Sequence, residues 1–204
     1  MLEFWQAHLT FTLLAFVLLA FFNGRTGLKV ALAAGLLALS FLPIDGLPLA
    51  VYLRGITDDL AITTLVGLFY AVLVRMGVAG GLKPVTRDQM LLLFSGLALV
   101  LYPSTLGLTY FDPYRFGYNP RPMLLVVGLL TLAFVLMRNG LVVCMLALAT
   151  LAFSLQLKPS PNYWDYLLDP FIAVYCWGGL IFTGLKKAWC SATVRLGSKR
   201  PTAS

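Results

Sequence analysis

The sequence predicts an all-α integral membrane protein, one polytopic domain over residues 1–204 built as a bundle of seven transmembrane helices, N-terminus outside and C-terminus in the cytoplasm. Three observations lead there. Of the 204 residues 60% are apolar and 11% charged, where a soluble domain carries about 25% charged residues; the mean hydropathy is +0.88. The apolar residues arrive in runs of 13 to 19, the lengths of membrane helices rather than of core segments. Once those runs are threaded, the basic residues sort to one side. This composition excludes intrinsic disorder, collagen-like repeats and a nucleic-acid-binding globule.

The first run, Phe4 to Phe22, follows Glu3 with no basic segment before it and no small-x-small site after it, so it is expected to stay as a helix and not to be cleaved as a signal peptide. The second is Leu28 to Ile44. Between the second and third lies Leu47 to Asp59, where Leu49, Tyr52, Leu53, Ile56 and Leu60 recur at helical spacing. That pattern predicts a helix in the membrane interface with Arg54 facing water. Thr57, Asp58 and Asp59 then stand where a hydroxyl cap and negative charge suit the start of the third run, Leu60 to Met76.

The fourth run, Met90 to Tyr102, has only 13 residues, and a re-entrant turn there would leave six spans. The basic residues decide against it. With seven spans they divide 11 inside (Arg25, Lys29, Arg75, Lys83, Arg87, Arg138, Lys186, Lys187, Arg195, Lys199, Arg200) to 4 outside (Arg54, Arg115, Arg121, Lys158). With a re-entrant fourth run the division is 7 to 8, which is no bias. The acidic residues fall the other way, with only Asp88 inside. The fifth run, Pro122 to Met137, and the sixth, Leu141 to Leu157, are joined by Arg138-Asn139-Gly140, a tight turn that predicts an antiparallel hairpin. The seventh, Pro170 to Leu185, leads into a basic cytoplasmic tail over residues 186–204 that suits anionic lipid.

No Asp or Glu lies inside the runs, and the basic residues they contain, Lys29 and Arg75, stand within one residue of a run's end, which counts against a pump, a proton-coupled transporter or a voltage sensor. Lys186 and Lys187 sit at the end of the last run rather than midway, so a retinal protein is excluded. Cys144, Cys176 and Cys190 lie at different depths and predict neither a disulfide nor a metal site. His8 is the only histidine. No cofactor is implied.

The chemistry that remains is on the outer face, in three segments rich in carboxylates, aromatics and arginine: Leu47 to Asp59, Pro103 to Pro122, and Lys158 to Pro170. Asp112-Pro113 and Asn119-Pro120 read as turn or cap starts, Ser160-Pro161 and Asp169-Pro170 as helix starts. The candidate acid/base residues are Asp58, Asp59, Asp112, Asp165 and Asp169. The candidate binding residues are Arg54, Arg115, Arg121, Tyr114, Tyr118 and Trp164, with the arginines suited to a phosphate or carboxylate. The three segments are expected to meet above the third, fourth and seventh runs. Caps and an interfacial aromatic belt explain most of these residues, so the leading expectation is a non-catalytic integral-membrane subunit or scaffold of a cell-envelope complex. Its partners are membrane lipids and a protein in the same membrane, with no nucleic acid. Small outer loops without an Asn-x-Ser/Thr site place it in a bacterial inner membrane. The alternatives are a membrane-embedded transferase or hydrolase of a lipid-linked phosphate at the outer leaflet, and a small lipid or solute transporter.

Overall fold

A computed structural model describes residues 4–20 and 25–197, with side chains as far as Trp189. Glu3, Phe22, Lys199 and Arg200, and the side chains of Cys190 and Arg195, lie outside the described residues. The chain is mostly helical. Its helices are α1 (Trp5–Leu19), α2 (Thr26–Ser40), α3 (Leu49–Thr57), α4 (Ile62–Met76), α5 (Pro84–Thr105), α6 (Pro120–Leu136), α7 (Gly140–Ser154), α8 (Trp164–Leu167) and α9 (Pro170–Gly197). Each of the seven apolar runs contributes to a long helix. Among the described residues one of these, α5, is long and apolar enough to cross a membrane, while α1, α2, α4, α6 and α7 are apolar helices of 15 to 17 residues.

The shortest run thus belongs to a helix of 22 residues, longer than α1, α2, α4, α6 and α7. Pro84 occupies its first turn, where a missing N–H costs nothing, and the helix already contains Arg87 and Asp88 before the apolar stretch begins. The uninterrupted apolar residues begin only after that charged first turn. The basic tail is likewise continuous with α9 as far as Gly197.

Polar ties set the direction of the helices. His8 Nδ1 lies 2.9 Å from Ser40 Oγ, whose own proton goes to Leu37 O, so His8 donates and α1 begins where α2 ends. Gln6 at the start of α1 bonds Leu60 O just ahead of α4, and Arg75 at the end of α4 bonds Ala20 O after α1. These two helices therefore run parallel. Asn139 caps α7 through Val142 N and reaches Thr86 O and Gln89 Oε1 in the first turns of α5. Lys187, far along α9, is 3.6 Å from Asp88 at the start of α5, so those two helices are antiparallel. The bundle has one end carrying most of the acidic residues and another carrying Lys29, Arg75, Arg87, Arg138 and Lys187.

The core is centred on Phe16, Leu91, Phe94, Met145 and Leu146, all essentially inaccessible. Small residues allow close approach, as where Gly179 of α9 faces Leu91; a Cβ there would stand 3.0 Å from the leucine methyls. Between α2 and α3 an unexpected hairpin pairs Pro43–Ile44 (β1) with Leu47–Pro48 (β2). Its loop is Asp45-Gly46 with both φ angles positive, 47° and 83°, the conformation an Asp-Gly hairpin turn requires.

Candidate functional site

The three acidic-end segments do come together. Lys158, which follows α7, turns inward and is buried. Its Nζ donates to Asp59 O at 2.8 Å, Leu60 O at 3.1 Å and Asp165 O at 2.8 Å. Three ammonium hydrogens thus meet three backbone carbonyls. Burial lowers the Lys158 pKa from the ordinary lysine value, against the pull of Asp59, Asp165, Asp169 and Asp58. Asp169 makes a second tie. Its Oδ1 accepts from Ile172 N at 2.8 Å and so caps α9, as Asp-Pro predicts, while Oδ2 accepts from Ala61 N at 2.8 Å. Ala61, not Asp58 or Asp59, is the residue ahead of α4, so the expected cap on the third run is corrected: its donor is served from the far end of the chain.

Asp59 instead pairs with Arg54 at 2.6 Å. That corrects the expectation of Arg54 facing water, because the ion pair holds the half-buried arginine against the segment that follows α3. Asp165 accepts from Tyr114 Oη at 3.1 and 3.2 Å and from Ser160 Oγ. Burial first, and then the Asp165 charge, raise the Tyr114 pKa. Asp58 is exposed, with φ at 54°; its N–H donates to Arg54 O at 2.8 Å and closes α3, while its carboxylate makes no hydrogen bond among the described residues.

The Pro103–Pro122 segment is held by its backbone. A 3-10 turn over Pro113–Tyr118 is capped by Asp112, which accepts from Tyr114 N at 3.0 Å. Asn162, fully buried, donates to Tyr114 O and accepts from Trp164 N. Trp164 Nε1 donates to Pro113 O at 2.9 Å, and Tyr163 N donates to Gly117 O. Gly117 is required here by space: a Cβ would lie 1.7 Å from Asn162 Oδ1. Below this layer Tyr163 bonds Thr150 on α7, and Tyr166 Oη accepts from Lys158 N and donates to Lys158 O.

The result is a cleft of about 470 Å³ whose lining includes Thr57, Asp58, Asp59, Tyr102, Thr105, Tyr114, Lys158, Ser160, Asp165 and Asp169. Four of the five candidate carboxylates therefore share one cleft, and Asp112 does not. Of the binding candidates only Tyr114 lines it. Arg115, Tyr118 and Arg121 are exposed on the rim around the 3-10 turn and the start of α6, and Trp164 lies beneath as a structural donor. Tyr118 packs edge-on against Tyr114 with centroids 5.7 Å apart. Lys158, Ser160, Asn162 and Gly117 were not among the expected site residues; the one signal for Lys158 was a lysine alone on the side that basic residues avoid. Among the described residues no three His, Cys, Asp or Glu gather as a metal-binding set. No protein-family model matches the chain, and no curated protein and no solved structure matches it either.

Proposed function

We propose that the chain is a multi-pass protein of the inner membrane, with seven spans and the acidic end outside, and that it serves as a non-catalytic subunit whose acidic end docks a partner in the same membrane. The spanning reading is supported by apolar surface turned outward. On α6, Leu125, Leu129, Leu132 and Leu136 are each more than half exposed, as are Val174, Ile181, Phe182 and Leu185 on α9. Such stripes belong against lipid or protein, not water. Helices of 15 residues reach about 22 Å against a hydrocarbon core of about 30 Å, so the surrounding bilayer is thinned. The separation of acidic from basic residues at opposite ends agrees with the expected orientation.

One observation carries the non-catalytic reading: the charged groups of the cleft other than Asp58 are bonded internally. Lys158 serves three carbonyls, Asp169 two N–H groups, Asp59 an arginine and Asp165 two hydroxyls. Acid/base or nucleophilic work needs such groups presented to a substrate. What the acidic end does present is a rim of Tyr110, Phe111, Arg115, Phe116, Tyr118 and Arg121, and aromatics with arginine are the residues that anchor protein interfaces. A photo-reactive amino acid at Tyr110 or Phe116, irradiated in native membranes, is expected to give one discrete adduct with a membrane protein. Arg115→Ala should weaken it. Only diffuse labelling at both positions overturns the docking reading.

A second reading has one observation in its favour. Asp58 holds a non-glycine residue at positive φ in the cleft, a strain that clusters at functional sites; this suits a transferase or hydrolase of a lipid-linked phosphate. Accumulation of such a lipid in Asp58→Asn cells whose protein remains folded would establish that reading over docking.

A further inference from the structure

A second cavity lies away from the acidic cleft. An open groove of about 540 Å³ runs along α4, with α1 on one side and α9 on the other. It begins at Thr57 and Leu60 at the acidic end and finishes at Arg75 and Arg87 at the basic end. Its walls are almost wholly apolar. Gly67 keeps the middle open: a Cβ there would meet only the Met145 methyl, at 3.7 Å. Tyr175 of α9 also lines the groove.

The basic mouth is built rather than incidental. Arg75 Nη1 donates to Ala20 O at 3.2 Å, and Lys29 Nζ donates to Arg75 O at 2.6 Å, so the last turn of α4 is fixed where it meets the groove. Arg87 lies half-buried in the first turn of α5. The carboxylate beside it, Asp88, lies 3.6 Å from Lys187, so among the described residues basic groups outnumber acidic ones at this mouth. Volumes of about 300–1,000 Å³ suit one small molecule. Long apolar walls ending at two guanidinium groups complement one class of small molecule: an apolar chain with a phosphate at its end.

We infer that the groove holds one acyl chain of an anionic glycerophospholipid, with its phosphate at Arg75 and Arg87. The inference rests on the membrane reading above and does not depend on docking at the acidic end. The occupant belongs to the leaflet at the basic end, the cytoplasmic one in the proposed orientation, where anionic headgroups attract basic residues.

The test takes the full chain through carbonate extraction and then native mass spectrometry from detergent, with dioleoylphosphatidylglycerol or dioleoylphosphatidylcholine added. Release into the carbonate supernatant overturns the membrane reading and the groove assignment with it. A chain that stays in the pellet but retains both lipids equally overturns the groove assignment alone. The expected result is one retained phosphatidylglycerol, preferred over phosphatidylcholine. Arg87→Gln should lower that preference about fivefold, while Lys186→Gln, which removes an exposed charge on α9 outside the groove, leaves it unchanged. Equal losses from the two substitutions would mean general charge attraction and overturn the site. Gly67→Phe fills the groove and should abolish retention in protein whose circular dichroism is unaltered. Unchanged retention in that variant, or a protein dimer that it dissociates, also refutes the lipid assignment. Should Gly67→Phe fail to fold, the comparison of Arg87→Gln with Lys186→Gln decides alone.

Discussion

Replacing Lys158 by methionine keeps most of the apolar stem and removes the lysine donor from the half-buried carbonyls of Asp59 and Asp165. Each orphaned acceptor costs about 1–3 kcal/mol, so Lys158→Met is expected to lose about 2–6 kcal/mol, read as a lower thermal midpoint of the protein in detergent. Gly117→Ala attacks the same layer sterically. Its Cβ would fall 1.7 Å from Asn162 Oδ1, and relief would require moving the strut that holds Trp164 N and Tyr114 O. An overpacked site costs about 1–3 kcal/mol, and the loss should appear as a lower midpoint with unchanged helix content. How much of this was readable depended on distance along the chain. Asp112 caps Tyr114 two residues on, and Asp169 caps Ile172 three residues on; local spacing sufficed for both. The other oxygen of Asp169 serves Ala61, 108 residues away, and Lys158 serves backbone carbonyls, which leave no mark in side-chain identity. Arg115 and Arg121 share the carboxylates' side of the chain, but the 3-10 turn and the first turn of α6 carry them to the rim.

The long helices were legible at the scale of elements because an apolar run of this length has few alternatives, and Asp169-Pro170 also marks the start of α9. Boundaries were less so. The first turns of α5 carry Arg87 and Asp88, so hydropathy leaves no mark of them. The β1–β2 hairpin was available from Asp45-Gly46 between two short apolar pairs, but the second run was read straight through to Ile44. Within the helices most hydroxyls return to the preceding turn, as Thr12, Thr131 and Thr150 do. Thr10 does not; its hydroxyl is buried without a hydrogen-bond partner among the described residues. Removing a polar atom that has no partner is neutral or favourable by about 1 kcal/mol. Thr10→Val, which keeps the shape, should leave the thermal midpoint unchanged or raise it, in contrast to the substitutions at Lys158 and Gly117.

For the whole molecule, the acidic end sets the response to alkali. Burial raises the pKa values of Tyr114, Tyr163 and Tyr166 above the ordinary 10.0. Their contribution is present in full below pH 10 and is lost as pH rises toward the raised folded values, because the unfolded chain gives up its phenolic protons first. Lys158 works in the opposite sense. Its lowered folded value means that stability grows with pH from that value up to 10.5. Three tyrosines outweigh one lysine above pH 10, so the thermal midpoint should fall there, and Tyr114→Phe should flatten the fall. The ties at this end also have a consequence for biosynthesis. The Asp59 carbonyl and the Ala61 N–H wait for Lys158 and Asp169, partners 99 and 108 residues later in the chain, and at about 5–20 residues per second that is roughly 5–20 s of translation. Throughout that interval the corner between α3 and α4 holds polar backbone groups with their partners still unmade. A chain ended after Ser154 should carry every helix through α7 and yet be degraded faster in the cell than one ended after Trp189, as pulse-chase labelling would show. The arrival of the last helix closes the first half of the protein, so the cell's proteases can read an unfinished chain from its unsealed end.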